Sequence, residues 1–140
     1  MRALLLAPAL MVLTACASPL PKPDPQQAWV ELYSTADTLL MADRLDDKRW
    51  PDGRYFQVTP GEHELQTRFQ FEVRSGATLG MQSEPLRMTC EITLRYKDFA
   101  PGQRYRIEAR QMLMSAQAWL YDGQRNVLAR GEVERCGTAL

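Results

Sequence analysis

Residues 62–73 read Glu62-His63-Glu64-Leu65-Gln66-Thr67-Arg68-Phe69-Gln70-Phe71-Glu72-Val73. Leu65, Phe69, Phe71 and Val73 share one parity, while Glu62, Glu64, Gln66, Arg68, Gln70 and Glu72 share the other. A period of two puts every apolar side chain on one face of an extended strand, whereas a helix would scatter them around its axis. Residues 86–96 repeat the pattern, with Leu86, Met88, Cys90, Ile92, Leu94 and Tyr96 facing one way and Arg87, Thr89, Glu91, Thr93, Arg95 and Lys97 the other. Shorter strand candidates are residues 29–33, 39–45, 54–58, 104–110, 114–121 and 127–133. The gaps carry turn chemistry in Pro51-Asp52-Gly53, Pro60-Gly61, Pro101-Gly102 and Asp122-Gly123. Residues 75–83, with Gly76 and Gly80, form the longest polar gap and the candidate mobile loop. Many short strands with turns about every ten residues predict an all-β fold, an antiparallel β-sandwich or open barrel of about 7–8 strands.

The chain has 140 residues, room for one domain over residues 28–140 once a leader and a connector are set aside. Basic and acidic side chains number 17 each. A leader containing Arg2 and no acid leaves the remainder near −1, a balance that argues against general nucleic-acid binding. Residues 1–15 have the layout of a secretory signal: Arg2, an apolar run from Ala3 to Leu13, then small residues. The run is too short to span a bilayer, which takes about 20 apolar residues.

The string Leu13-Thr14-Ala15-Cys16 resembles the lipobox of bacterial lipoproteins. The resemblance implies a diacylglyceryl group on the Cys16 sulfur, cleavage before it, and acylation of the freed amine. Two or more acyl chains make a stable anchor where one binds only marginally. Ala17 and Ser18 follow without an aspartate, as in lipoproteins forwarded to the outer membrane. The expected location is therefore the outer membrane, lipid-anchored and facing the periplasm. Residues 16–27 then form a lipidated, Pro-rich tether, with Pro19, Pro21, Pro23 and Pro25 favouring an extended polyproline spacer that reaches at most roughly 35–40 Å. Residues 52–65, from Asp52-Gly53-Arg54 through Pro60-Gly61 to Glu64-Leu65, are similar to the strand, Pro-Gly turn, strand unit of PEGA-like small β-domains of the envelope. That resemblance implies a structural or interaction role and transfers no binding residue.

Chemistry is sparse. His63 is the only histidine, and its parity with Leu65 and Phe69 marks a partly buried structural residue more readily than a catalytic base. One histidine and separated cysteines give no zinc spacing, and no serine stands in a G-x-S-x-G context. Phosphate-cradling glycine loops of the Walker or dinucleotide type are also missing. Asp43, Asp46, Asp47 and Asp52 are dense enough for a glycosidase pair or a calcium site. Arg44, Lys48 and Arg49 interleave with them, as on a solvated connector. No catalytic residue, metal or cofactor is expected. Trp29 and Trp50 fit packing roles; Trp119 and Tyr121, opposite in parity to Ala116, Ala118 and Leu120, are candidate exposed contact aromatics.

If Cys16 carries lipid in an oxidising compartment, Cys90 and Cys136 are left to pair. Cys136 has the parity of Arg130 and Glu132, so the pairing needs a strand end or a bulge, for which Gly131 is the candidate. A hairpin over residues 86–110 centred on Pro101-Gly102 would set Lys97 opposite Arg106, Arg95 opposite Glu108 and Thr93 opposite Arg110. Lys97, Arg104 and Arg106 would then form a basic patch for an anionic partner, or a solvated face that discourages edge aggregation. The leading expectation is a noncatalytic envelope lipoprotein acting as a structural or interaction module, held to the membrane by its anchor and contacting an envelope protein or an anionic envelope component. The alternative is a carrier of a small amphipathic ligand, lipid or glycan. A filled core with an exposed charged or aromatic patch favours the first, an apolar internal cavity the second.

Overall fold

The computed structural model describes residues 18–74 and 84–138. The expected leader over residues 1–15, the expected lipid-bearing Cys16 and the candidate loop 75–83 lie outside the described residues. Among the described residues there are ten strands: β1 Ala28–Tyr33, β2 Leu39–Leu45, β3 Lys48–Arg49, β4 Tyr55–Val58, β5 Gly61–Val73, β6 Leu86–Phe99, β7 Arg104–Met112, β8 Ser115–Tyr121, β9 Val127–Arg130 and β10 Glu132–Gly137. They make two five-stranded sheets, β4-β1-β7-β8-β9 (sheet A) and β10-β6-β5-β2-β3 (sheet B). The sheets pack as a sandwich and do not close into a barrel. All neighbours are antiparallel except β1 and β7, which run parallel. The eight strands expected become ten because Lys48–Arg49 pairs with β2 and the 127–133 run divides at Gly131.

The alternating side chains fill the space between the sheets. Leu65, Phe69 and Phe71 of β5 and Cys90, Ile92 and Leu94 of β6 meet Val30, Phe56, Ile107, Ala118 and Leu120 of sheet A, all at most 2 % exposed. Each large side chain so buried contributes about 1.5–3 kcal/mol. Thr67 takes an inward position among them, and its hydroxyl donates to the Ile92 carbonyl at 3.3 Å.

The expected 86–110 hairpin does not form. β6 pairs with β5 and β10, whereas β7 pairs with β1 and β8, so Pro101-Gly102 carries the chain from sheet B to sheet A. Gly102 holds φ +71° there and donates its N–H to Gln27 at 2.9 Å, and the Ala100 N–H donates to the Tyr105 hydroxyl at 2.9 Å. Arg95 lies opposite Glu64, Leu94 opposite Leu65 and Tyr96 opposite His63. The proposed register satisfied both faces of both strands, but so does setting the two apolar faces against each other across the core. Alternation alone does not separate the two arrangements.

Gly131 is the point where the chain leaves sheet A for sheet B. Its N–H donates to Ala118 O at 2.8 Å, and an added Cβ would lie 2.7 Å from Ile92 Cγ2. The bulge that restores the Cys136 parity is instead between Val133 and Arg135. Beyond it Cys136 stands directly opposite Cys90 in the β10–β6 ladder, and the two form a disulfide with Cα atoms 4.1 Å apart.

Residues 18–27, read from sequence as a free spacer, lie against sheet A. Arg54 Nη1 donates to Ser18 O at 2.8 Å, and the Asp24 N–H donates to Gln57 Oε1 at 3.0 Å. Leu20, Pro21 and Pro23 border a groove with Trp29, Tyr55 and Arg104. Trp29 is only 6 % exposed despite its outward parity, and its ring stacks on Tyr55 at 4.3 Å. The segment closes in a turn before β1, where the Gln27 N–H donates to Asp24 O at 3.1 Å and the Gln26 N–H to Asp24 Oδ1 at 2.8 Å.

Candidate interaction face

The two outer faces differ in how their charges are spent. On sheet B the pairing register sets Arg95 opposite Glu64 and Arg135 opposite Glu91, and Glu132 and Asp43 are reached from neighbouring positions. Arg95 donates to Glu64 at 2.8 Å and Glu132 at 3.0 Å, Arg135 to Glu91 at 2.8 and 3.1 Å, and Arg49 to Asp43 at 2.6 Å. The Arg135 hydrogen bond, above all, holds the Glu91 carboxyl below its ordinary value, outweighing partial burial, with help from the Arg68 and Arg44 charges. The dense acidic stretch is used up in the same way. Arg54 donates to Asp52 at 2.9 and 2.7 Å, and Arg44 approaches Asp47 at 3.6 Å. Among the described residues no group of three or more His, Cys, Asp or Glu side chains is arranged to hold a metal.

His63 sits where β2 turns into β3. Its ring lies between the Asp46 carboxylate, 2.6 Å from Nδ1, and the Thr59 carbonyl, 2.7 Å from Nε2. Asp46 also accepts the Glu64 N–H at 2.8 Å. Burial works to raise the Asp46 carboxyl, but that backbone bond and the His63 contact prevail and hold it below its ordinary 3.8. These contacts tie the turn, in which Asp46 and Asp47 adopt positive φ, to the start of β5. His63 is thus engaged in bracing the fold.

Sheet A is organised differently. Along β7, Arg104, Arg106, Glu108 and Arg110 point outward, since Tyr105, Ile107 and Ala109 face the core. The register puts Glu108 between Tyr33 of β1 and Trp119 of β8, Arg106 between Glu31 and Tyr121, and Arg130 beside Trp119. Glu108 is 3 % exposed, fenced by the two aromatic neighbours and covered by guanidinium groups. Arg125 Nη1 donates to it at 3.0 Å, and Arg106 and Arg110 approach within 3.9 Å. Arg106 also lies over the Tyr33 ring, 5.5 Å from its centroid, and Arg125 over Tyr121 at 5.2 Å.

Arg125 reaches this face because of its turn. Asp122 accepts the N–H groups of Gln124 and Asn126, each at 2.9 Å, and the Asn126 side chain at 3.0 Å. The Asn126 side chain, chiefly, holds the Asp122 carboxyl below its ordinary value. The loop so fixed keeps Arg125 at φ +63°, a conformation uncommon for a residue with a side chain, and folds its guanidinium back over the sheet. A shallow groove runs between Glu31, Arg104, Arg106, Tyr121 and Arg125.

The outcome is five arginines, Arg104, Arg106, Arg110, Arg125 and Arg130, against the carboxylates Glu31 and Glu108 and, at the edge of the groove, Asp122, with Tyr33, Trp119 and Tyr121 interleaved. Trp119 and Tyr121 occupy the outward parity expected of them and are half-buried, with Arg125 over the Tyr121 ring and Arg130 opposite Trp119 in the ladder. Arg104 and Arg106 belong to this face, each bonding Glu31, at 3.2 and 3.3 Å. Lys97 does not, because it is exposed on β6 in sheet B and the strand crossover separates it from them. Glu108 and Arg125 were not singled out from sequence; the Arg-x-Arg-x-Glu-x-Arg alternation along β7 was the available signal for the first. Guanidinium forks pair bidentately with phosphate, sulfate and carboxylate, and aromatic rims add stacking area, so the surface is chemically suited to anionic groups. Comparison with protein-family models, characterised proteins and solved structures gives no match to this chain.

Proposed function

We propose that the chain is a noncatalytic, lipid-anchored lipoprotein of the bacterial outer membrane, and that it contacts an anionic envelope partner through the outer face of sheet A. The lipobox-like Leu13-Thr14-Ala15-Cys16 supports the address. The observation that carries the contact surface is on sheet A, where five arginines outnumber the carboxylates Glu31, Glu108 and Asp122 that they face and are interleaved with aromatic rings. Exposed surface charge of one sign raises encounter rates with oppositely charged partners and screens with salt. The filled core, with Phe56, Leu65, Phe69 and Ile107 fully buried, supports an interaction module over the carrier of a small amphipathic ligand.

The test has two parts. Mass spectrometry of the mature N-terminus should find the chain beginning at lipid-bearing Cys16; an unlipidated chain beginning elsewhere overturns the address. Photo-crosslinking in intact envelopes should yield adducts from position 119 on sheet A that disappear in Arg106→Glu, Arg125→Glu protein and persist in Lys97→Glu. Adducts of equal yield from position 66 on sheet B, or adducts indifferent to the reversals, overturn the contact surface.

A further inference from the structure

The apolar side chains that escape the core collect at one end of the sandwich. β1 and β7 run parallel and end there, at Tyr33 and Met112, and β2 starts there at Leu39. Because β5 is antiparallel to β2 and β6, the pairs Leu39–Gln70 and Val73–Leu86 lie at the same end. Tyr33, Leu39 and Leu86 are each 45–51 % exposed. The β7–β8 hairpin runs past the end of β1: β1 stops opposite Glu108, so residues 109–112 of β7 overhang it by four positions, about 13 Å of strand, before the turn at its tip.

That tip is Met112-Leu113-Met114. Met112 pairs with Ser115, leaving Leu113 and Met114 as a two-residue connection, a place where Asn-Gly or a similar polar pair is the common choice. Instead Leu113 is held at φ +54° with 88 % of its surface exposed, and the two methionines are about half exposed. A leucine in a conformation normally left to glycine or asparagine, displayed to water between two methionines, is a costly arrangement for folding alone. Of the large apolar side chains exposed among the described residues, only Val127, opposite Tyr121, stands away from this end.

The first described residues of the Pro-rich segment stand toward the same end. Arg54 precedes Tyr55, whose partner is Glu31, so Arg54 stands level with Leu32 at the apolar end, and it holds the Ser18 carbonyl. Cys16 is two residues from Ser18, a separation that covalent geometry limits to about 7 Å between Cα atoms. Leu20, 53 % exposed, adds to the apolar surface beside it. We propose that the Met112-Leu113-Met114 tip inserts into the leaflet that carries the anchor, an inference that rests on the lipoprotein reading above. Protruding apolar tips suit a bilayer, which has no preformed groove to match. Arg110, 66 % exposed and one pleat behind Met112, would reach lipid phosphates while the tip enters the acyl boundary. The strands then stand away from the membrane and the arginine face of sheet A is presented to the periplasm.

The experiment uses the mature lipidated protein in vesicles of phosphatidylethanolamine and phosphatidylglycerol. With Cys16 acylated and Cys90 bonded to Cys136, a cysteine introduced by Leu113→Cys or Met114→Cys is the single free thiol for a nitroxide label, and Gln124→Cys at the far end of β8 is the control. The 113 and 114 labels should meet polar nickel chelate at least about threefold less often than the 124 label while remaining open to oxygen, as expected 5–10 Å into the interface. Protein that does not float with vesicles overturns the anchor reading and the insertion with it. Floating protein whose 113 and 114 labels meet nickel as often as the 124 label overturns the insertion alone. Labels shielded from both nickel and oxygen signify burial against protein and overturn it also.

Discussion

Replacing Gly131 with alanine tests the sheet-switch directly. The added Cβ would lie 2.7 Å from Ile92 Cγ2, 3.1 Å from Ala118 Cβ and 3.2 Å from Ala118 O. Ile92 and Ala118 are fully buried, one in each sheet, and the Ala118 carbonyl accepts the Gly131 N–H at 2.8 Å. Relief therefore requires either separating the sheets locally or lengthening that hydrogen bond. Overpacking of a filled site costs about 1–3 kcal/mol. We take about 2 kcal/mol as the expected loss, read as a shift of the urea midpoint at unchanged slope. The closest contact is with a methyl branch on Cβ, which leucine lacks. Ile92→Leu should itself cost under about 1.5 kcal/mol. In its background Gly131→Ala should cost about 1 kcal/mol less than in the parent, a coupling of the size direct neighbours show. A loss below about 0.5 kcal/mol for Gly131→Ala, or strict additivity in the double variant, would refute the close-approach argument.

Reducing the Cys90–Cys136 disulfide, which closes 46 residues of chain, should lower unfolding free energy by about 4 kcal/mol in the chain-entropy model, measured by urea unfolding with and without thiol; no change would mean the bond is unformed. Glu91 has a folded-state pKa below its ordinary 4.5, so its contribution is complete above 4.5 and is lost as pH falls through the lower folded value. The stability difference between the parent and Glu91→Gln should accordingly shrink on acidification below pH 4.5, and a difference that grows there would contradict the Arg135 pairing. Glu108→Gln should cost only about 1 kcal/mol, because Arg125 is 61 % exposed, yet strengthen anion binding by removing the central negative charge of sheet A. Titration with a polyanion at low salt checks it, and weaker binding would argue that Glu108 positions the arginines.

Alternation along residues 62–73 and 86–96 was sufficient to assign the inward and outward faces of β5 and β6, because side-chain direction in a strand is a local property with period two. The pairing of Cys90 with Cys136 was likewise accessible once Cys16 was assigned to the lipid. Neighbour relations were not. Leu94 and Tyr96 would be satisfied equally well beside Ala109 and Ile107 in one sheet or facing them across a core, and the choice rests on all ten strands packing at once. That choice separated Lys97 from Arg104 and Arg106, and it set Glu108 between Tyr33 and Trp119. It also required glycine at residue 131, where two sheets approach within one methyl group of the chain. Sequence fixes which way a side chain points; only the tertiary structure decides what it meets there, since strand partners are chosen by contacts between residues far apart in the chain.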